Sequence, residues 1–279
     1  MILVTGATGK VGREVVGQLQ EKGMPVRAVS RHPDGAATLP AGLEVVQADL
    51  ADPESLESQL AGVETVFLLW PFTSPEAATD LAPRVVDVIA GQASRIVYLS
   101  AQAATDQPES FWARVERLVE ASGTEWTFLR PVGFAANTLM WADQIRAGDV
   151  VRWPFGEAAR SLIHEKDIAS VAVRALTEDG HGGGRYVLSG PAALTQADQV
   201  STIGEAIGRP LRWEEISPEQ ARPGLVAAFG DEAFADSALA SWSKFVTRAE
   251  LVTSTVEDVT GSPALSFRTW AGDHAGDFR

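Results

Sequence analysis

The first chemically informative feature of the sequence is a set of three glycines, Gly6, Gly9 and Gly12, between a short apolar run and a helical pattern. In a strand–turn–helix unit, the first such glycine permits a tight turn, the second lets a pyrophosphate approach the backbone, and the third lets the helix pack closely. The helix N-terminus then offers free N–H groups to phosphates. The alternative is an ordinary turn between a strand and a helix. We expect dinucleotide binding by Gly6, Thr8, Gly9, Lys10, Val11 and Gly12.

The end of the second strand-like segment indicates which dinucleotide binds. NAD-binding proteins usually place Asp or Glu about twenty residues after the glycine loop, where it holds the ribose 2′-OH. Here that position is Arg31, flanked by Ser30 and His32. A guanidinium can donate two hydrogen bonds to a 2′-phosphate. The sequence therefore favours NADP(H) over NAD(H), with Ser30 assisting in the contact. The alternative is a solvated Arg31, with Asp34 reaching back to an NAD ribose.

A carboxylate follows the third strand-like segment, in Ala48-Asp49-Leu50. The side chain of Asp49 could accept a hydrogen bond from the adenine amino group. A role as a turn or cap residue fits the spacing equally well. We therefore include Asp49 and Leu50 among the candidate cofactor residues and leave both interpretations of Asp49 open.

Strand-like and helix-like patterns alternate through the first half of the chain. Strands are predicted over 2–5, 25–30, 43–47, 63–69, 95–100 and 124–129, and helices over 11–20, 77–91 and 109–122, with another beginning at Asp52-Pro53. Pro83 should kink or split the helix in which it lies. Strict alternation with short connections predicts a doubly wound parallel sheet, because parallel neighbours require crossover connections. The fold class is therefore α/β, of the Rossmann type.

The alternation is looser after Pro131, and a smaller α+β lobe is expected there. Helices are predicted over 137–147, over 164–177 and from about 221 to 260, and short strands over 150–153, 160–163 and 185–189. Capping patterns begin at Thr195 and, more clearly, at Ser217. We expect a dinucleotide-binding core over 1–133 and a substrate-binding lobe over 134–279. The late strand near 185–189 is a candidate to rejoin the main sheet.

Composition limits the classes of partner. The chain has 279 residues, 23 basic and 37 acidic, for a net charge of −14. Such a field repels nucleic acid and anionic membrane surfaces. No signal peptide is expected, because the sequence opens without a positive n-region or a cleavage site. No membrane span is expected, because no apolar run approaches the length that a bilayer requires. The chain has no cysteine, which excludes thiol chemistry and fits a reducing cytoplasm.

Several segments resemble the NmrA-like group of atypical short-chain dehydrogenases/reductases. They are the glycine loop, Ser30-Arg31-His32-Pro33, Gln47-Ala48-Asp49-Leu50, Val66-Phe67-Leu68-Leu69-Trp70-Pro71, Leu129-Arg130-Pro131-Val132-Gly133-Phe134-Ala135-Ala136-Asn137 and Ile163-His164-Glu165-Lys166-Asp167-Ile168-Ala169. The resemblance covers nearly the whole chain and is weakest after about residue 220. It implies an NADP(H)-binding Rossmann fold. It also implies that the ribose and nicotinamide are lined by Leu69, Trp70, Pro71, Ser100, Ala101, Pro131, Val132 and Gly133.

The usual proton donor of the wider superfamily is missing. Standard members use a tyrosine and a lysine four residues apart, but the tyrosines here, Tyr98 and Tyr186, are followed at that distance by Gln102 and Gly190. Hydride transfer belongs to the cofactor, whereas protonation of the product depends on the protein or on water. We therefore expect an acceptor that delocalises charge well, such as a quinone or another conjugated, largely aromatic molecule.

Three other residues are candidate catalytic groups. Ser100 ends a strand near the expected nicotinamide, and its alternative role is a cap. Asn137 could donate an amide hydrogen bond to a substrate oxygen, or could be a buried helix cap. His164 precedes a helix and could be an acid, although a structural role is the more common one. No histidine spacing suits a metal, so no metal site is expected.

The sequence thus predicts an NADPH-dependent oxidoreductase that acts on a conjugated small molecule without a Tyr/Lys pair. Two alternatives stay open. One is a sensor that binds NADP(H) without turnover and acts on a partner, and the other is a non-redox cyclase or isomerase. The oligomeric state is left open.

Overall fold

The computed structural model describes residues 1–32 and 39–279, so Pro33 and Asp34 lie outside the described part. The chain divides into two compact units. The first unit comprises Met1–Pro131, Glu165–Leu188 and Thr255–Ser262, and the second comprises Val132–His164, Ser189–Ser254 and Pro263–Arg279. A single boundary at 133/134 was expected, but two later segments, Glu165–Leu188 and Thr255–Ser262, also belong to the first unit.

A parallel seven-stranded sheet forms the centre of the first unit, in the order β3-β2-β1-β4-β5-β6-β9. Its strands are β1 Ile2–Val4, β2 Val26–Ser30, β3 Glu44–Gln47, β4 Thr65–Leu69, β5 Arg95–Leu99, β6 Glu125–Pro131 and β9 Gly184–Leu188. β4 and β5 are almost completely buried, as strands covered on both faces must be. The expected α/β Rossmann-type fold is confirmed, and the late strand joins the main sheet beside β6.

The helices of the first unit that lie between its strands are α1 Lys10–Glu21, α2 Pro53–Glu57, α3 Pro75–Asp80, α4 Ala82–Ala90, α5 Ala103–Asp106, α6 Phe111–Ala121 and α8 Glu165–Thr177. A further helix, α12 Thr255–Thr260, follows the last strand. The segment expected to be kinked or split by Pro83 is two helices, α3 and α4, which meet at Leu81. Asp52 occupies the N-cap of α2 as expected, but its side chain makes no capping hydrogen bond.

The second unit has its own apolar core and two small sheets. β7 (Val150–Trp153) pairs in parallel with β11 (Arg212–Glu215), and β8 (Ala159–Arg160) pairs antiparallel with β10 (Leu194–Thr195). Its helices are a 3₁₀ helix over Ala135–Trp141, α7 Ala142–Ala147, α9 Gln196–Ile207, α10 Pro218–Phe229, α11 Glu232–Lys244, α13 Phe267–Asp273 and a 3₁₀ helix over Ala275–Phe278. The core includes Trp141, Trp270 and Phe278, all nearly inaccessible to solvent.

Two predictions for the later part of the chain differ in detail from the structure. The region from about 221 to 260, predicted to be helical, contains α10, α11 and α12, because α10 ends at a left-handed Gly230 and the chain is irregular between Phe245 and Ser254. The predicted strand over 160–163 is shorter and begins earlier. The capping box at Ser217 is confirmed, with reciprocal hydrogen bonds between Ser217 and Gln220.

The turn after β1 is held by backbone packing and one threonine. Gly6 has φ +61°, a conformation that disfavours side chains. A Cβ on Gly12 would overlap the Gly6 carbonyl oxygen and lie 2.7 Å from its carbon and 2.9 Å from Cα of Ala7. The third glycine therefore brings α1 against the turn itself. Thr5 Oγ1 donates to the Phe67 carbonyl at 3.1 Å and accepts from Leu69 N at 2.8 Å, which joins the ends of β1 and β4.

No helix in the described ranges 1–32 and 39–279 is both long enough and apolar enough to cross a bilayer.

Substituting Gly12 and Gly17, two glycines of the same helix, should have opposite effects on stability. We expect Gly12→Ala to lower the free energy of unfolding by about 1–3 kcal/mol, because its methyl group has no space beside Gly6. Gly17→Ala meets nothing within 4 Å, so the higher helix propensity of alanine should raise stability by about 1 kcal/mol. Urea unfolding followed by circular dichroism measures both changes. A Gly12→Ala variant as stable as the parent would contradict this packing argument.

Candidate cofactor and active site

The N-terminus of α1 provides unpaired backbone donors. Gly9 is the N-cap in an extended conformation (φ −77°, ψ 173°), and no side chain caps the helix. Within the described part of the chain, the N–H groups of Lys10, Val11 and Gly12 make no hydrogen bond. Thr8, Gly9 and Lys10 are exposed. A glycine-lined turn with free N–H groups at the positive end of a 12-residue helix fits a diphosphate.

A cationic side chain, Arg31, follows the end of β2, the strand that pairs with β1. Arg31 and His32 are exposed, and the Ser30 hydroxyl is buried and accepts a hydrogen bond from His32 N at 3.2 Å. Gln47 Nε2 donates to the Arg31 carbonyl at 3.2 Å, which fixes the backbone there. Among the described residues no carboxylate pairs with the Arg31 guanidinium. The geometry therefore leaves Arg31 available to an anion, as a 2′-phosphate contact requires.

The segment after β3 forms a turn stabilised by its aspartate. Asp49 Oδ1 accepts from Ala51 N at 3.0 Å, and Asp49 N donates to Ser55 Oγ at 3.0 Å. Leu50 is buried next to it. The turn role of Asp49 is thus present in the structure. Its proposed contact with adenine stays a prediction.

The end of β4 carries a buried indole. Leu69 is half-buried against Gly6, where a Cβ on the glycine would lie 3.1 Å from Leu69 Cδ1. Trp70 is 7% exposed, and its Nε1 has no hydrogen-bond partner among the described residues. Pro71 is exposed. A buried N–H group without a partner is unusual and calls for an explanation, such as a ligand oxygen.

The ends of β5 and β6 hold a buried ionic network that the sequence analysis did not identify. Ser100 follows Leu99, which pairs with Leu129, so Ser100 and Arg130 are neighbours across the two strands. Glu116 reaches them from α6. Its Oε1 accepts from Ser100 Oγ at 2.6 Å and from Arg130 Nε at 2.9 Å, and its Oε2 accepts from Arg130 Nη2 at 2.5 Å.

This network decides what the Ser100 hydroxyl can do. Ser100 and Glu116 are 3% and 4% exposed. The Arg130 guanidinium contacts both carboxylate oxygens of Glu116, which is the geometry of an ion pair, and this hydrogen bonding raises the pKa of Arg130. An ionised carboxylate only accepts hydrogen bonds, so the Ser100 proton is directed to Glu116. These contacts join side chains from a helix and from the ends of two strands that are far apart in the sequence. No local spacing of residues predicts them.

Tyr98 lies in the interior of the same sheet. Its side chain is inaccessible to solvent, and its hydroxyl has no hydrogen-bond partner in the described ranges. Burial raises the pKa of the Tyr98 hydroxyl well above its usual value, and the Glu116 carboxylate raises it further. Tyr98 is therefore not arranged as the proton donor that the wider superfamily uses.

Four candidates lie in or next to the second unit. Val132 and Gly133 are half-buried, and the Gly133 carbonyl accepts from Ile163 N at 2.8 Å. Asn137 is exposed in a 3₁₀ helix, which excludes the alternative of a buried cap. His164 is 1% exposed, with Nε2 at 3.4 Å from Asp273 Oδ2.

The remaining candidates are Ala101, which is half-buried, and Pro131, which is buried at the end of β6. Across the residues that the structure describes, no group of three or more histidine or acidic side chains is arranged to hold a metal ion.

Comparison with known proteins gives the family. A family model described as NAD(P)H-binding matches residues 6–179. The chain is 40% identical, over 285 aligned residues, to (4-alkanoyl-5-oxo-2,5-dihydrofuran-3-yl)methyl phosphate reductase of Streptomyces griseus, covering 100% of this chain and 99% of the relative. It is 36% identical to an NAD(P)H azoreductase of Xenophilus azovorans, with the same coverage.

A solved structure supports the same assignment. The NADPH-dependent quinone oxidoreductase of Escherichia coli, complexed with NADPH, superimposes with a TM-score of 0.80 at 25% identity, covering 98% of this chain and 99% of that one. The NmrA-like resemblance, the Rossmann-type fold and the nicotinamide cofactor predicted from the sequence are thereby confirmed. The chain belongs to the NAD(P)H-binding family and is an oxidoreductase of its NmrA-like, atypical short-chain group.

Proposed function

We propose that the protein reduces a small conjugated molecule, a quinone or an alkene activated by carbonyl groups, with NADPH as the hydride donor. The observation that carries the proposal is the near full-length similarity to two reductases, one named for an acyl-furanone phosphate and one for azo compounds. Their named substrates share a conjugated system that accepts two electrons.

The furanone of the Streptomyces relative illustrates why such acceptors suit this site. In a 4-alkanoyl-5-oxo-2,5-dihydrofuran, one carbon of the ring double bond bears two carbonyl groups. Hydride added to the other carbon would leave an electron pair shared by two oxygens. Such an anion needs no strong acid beside it and can take its proton from water, whereas the alkoxide formed from a simple ketone needs a positioned donor.

The side chains around β5 support this preference. Ser100 directs its proton to Glu116, and the Tyr98 hydroxyl is buried in the sheet. We assign Ser100 a structural role rather than a catalytic one for that reason, and we assign His164 a structural role because it is buried beside Asp273. Asn137 is exposed, so it stays a candidate for contact with the acceptor.

The residues proposed to hold NADPH fit the chemistry of its phosphates. The N–H groups of Lys10, Val11 and Gly12 would bind the pyrophosphate, and Arg31 would bind the 2′-phosphate. Bound NADPH supplies the hydride, and the overall reaction consumes one proton from solvent. The carboxyl ends of β4, β5 and β6, where ligands bind in open α/β sheets, would receive the nicotinamide.

An acceptor panel tests the proposed activity. Purified protein should oxidise NADPH in the presence of a benzoquinone, an azo dye and an acyl-butenolide with or without a phosphomethyl group. Cyclohexanone, a ketone without conjugation, should not react, because its alkoxide lacks a proton donor. NADPH absorbance gives the rates. Tight NADPH binding with no turnover of any acceptor would refute the reductase, and turnover of cyclohexanone at a rate comparable to the quinone would refute the preference for delocalised acceptors.

A second test concerns the choice of cofactor. Arg31→Ala should weaken NADPH binding about ten- to hundredfold and leave NADH binding nearly unchanged, because a charge-assisted hydrogen bond to the 2′-phosphate is lost. Arg84→Ala is the control, since Arg84 is 62% exposed and pairs with Glu54 on the surface. Calorimetric titration measures both affinities. Equal losses for NADPH and NADH would show that Arg31 does not contact the 2′-phosphate.

A further inference from the structure

The second unit contains a nearly buried ion pair between Arg160 of β8 and Glu250. Arg160 donates from Nε to Glu250 Oε2 at 3.0 Å and from Nη2 to Glu250 Oε1 at 3.1 Å, and Ser161 N donates to the same carboxylate at 3.0 Å. The side chains of Arg160 and Glu250 are 11% and 6% exposed. A buried ion pair is weak evidence for stability, because an apolar pair of similar volume is often as stable. This pair therefore needs an explanation other than stability.

Glu250 engages only one edge of the guanidinium. An arginine side chain has five N–H donors, and the bonds to Glu250 use the one on Nε and one on Nη2. Nη1 makes no hydrogen bond within the described residues, yet it is not among their buried polar atoms that lack a partner, so it retains accessible surface. The edge formed by Nη1 and Nη2 therefore has uncommitted donors, in the paired geometry that suits two oxygens of an anion.

The neighbours of this guanidinium fix its position. A Cβ on Gly133 would lie 2.6 Å from Arg160 Nη2, so the glycine leaves the space that the guanidinium occupies. The Phe245 ring also packs on the guanidinium, with its centroid 5.0 Å from Arg160 Cζ. Gly133 follows the carboxyl end of β6 by two residues, and open α/β sheets bind ligands at that end of their strands. The uncommitted edge of Arg160 thus begins at an atom beside a ligand-binding position of the fold.

The segment that packs on Arg160 is cationic. Lys244 and Arg248 are exposed and form no ion pair within the part of the chain that the structure describes. Phe245 lies between them in the sequence, and no acidic residue occurs over 237–249. In a chain whose net charge is −14, this segment provides a local positive field that attracts anions.

We propose that Arg160 binds an anionic substituent of the acceptor, a phosphate ester, a sulfonate or a carboxylate, through its Nη1/Nη2 edge. This inference rests on the proposed function and deepens it, because the preferred acceptor becomes a conjugated molecule that carries a negatively charged group. Glu250 holds the guanidinium in one orientation, so less side-chain entropy is lost on binding. The negative charge of Glu250 also opposes the anion, so the two members of the pair should have opposite effects on binding.

The kinetic test compares acceptors with and without the charged group. The two pairs are an acyl-butenolide with a phosphomethyl or a hydroxymethyl group, and naphthoquinone with or without a sulfonate group. The readout is the ratio of kcat/KM for the charged acceptor to kcat/KM for its neutral partner. Arg160→Met combined with Glu250→Leu leaves no buried ion unpaired, and this ratio should fall about tenfold or more because charge-assisted hydrogen bonds are lost. Glu250→Gln keeps the guanidinium and removes the opposing charge, so the ratio should rise.

The opposite signs separate binding from a structural role. A pair that only stabilises the fold would change the charged and neutral acceptors equally. The control is Arg152→Met on β7, since Arg152 is 56% exposed and pairs with Glu214 on the surface, and its ratio should equal that of the parent. Thermal unfolding confirms that each variant is folded. A double variant with the parent ratio, or a Glu250→Gln ratio that falls as far as that of the double variant, would overturn the proposal.

A titration with phenyl phosphate tests the site without turnover. Saturating NADP⁺ is present, so that the phosphate positions of the cofactor are occupied. By calorimetry, the parent and Arg152→Met should bind phenyl phosphate equally, and the double variant should bind it about tenfold more weakly or worse. No binding to the parent, or equal affinity of the double variant, would refute the assignment. If the parent reduced no acceptor, the proposed function would fail, whereas this titration would still decide whether Arg160 binds an anion.

Discussion

The contact on which the rest of the structure depends is between two pieces of backbone. Gly12 brings α1 so close to the turn at Gly6 that no side-chain atom fits between them. The first N–H groups of this helix have no intrahelical partner and no side-chain cap, and Thr5 holds the same turn against the end of β4. An ordinary strand–helix turn would not need this degree of closeness. The proposed phosphate site thus rests on a packing constraint.

Local chemistry explains which parts of this fold could be predicted from the sequence. The glycine loop, the alternation of strands and helices, and the division of a helix near Pro83 all follow from residues close together in the chain. The strand Gly184–Leu188 was recognisable as a strand, but its place beside β6 depends on pairing across about sixty residues. The breaks within 221–260 were missed although local signals mark the first of them: Gly230 ends α10 in a left-handed conformation, and Asp231 caps α11.

The candidate site likewise contains features that local sequence predicts and features that it does not. The spacing of Gly6, Gly9 and Gly12 is enough to predict a phosphate-binding turn. The link from Ser100 to Glu116 and Arg130 could not be predicted from spacing, because it depends on a helix and two strands whose neighbours are set by the whole sheet. Gln102 is a polar residue of the loop after β5 in the sequence. That its Oε1 is buried without a partner among the described residues is a property of the folded turn, which no local pattern contains.

The discontinuous first unit has a consequence for biosynthesis. During translation, β6 emerges long before Gly184–Leu188, so the edge of the growing sheet stays open while more than fifty residues, most of them belonging to the other unit, are made. Thr255–Ser262 arrives later still. Vectorial synthesis therefore cannot finish the nucleotide-binding body from its own N-terminal segment. Completion has to wait until the chain has been made as far as Ser262.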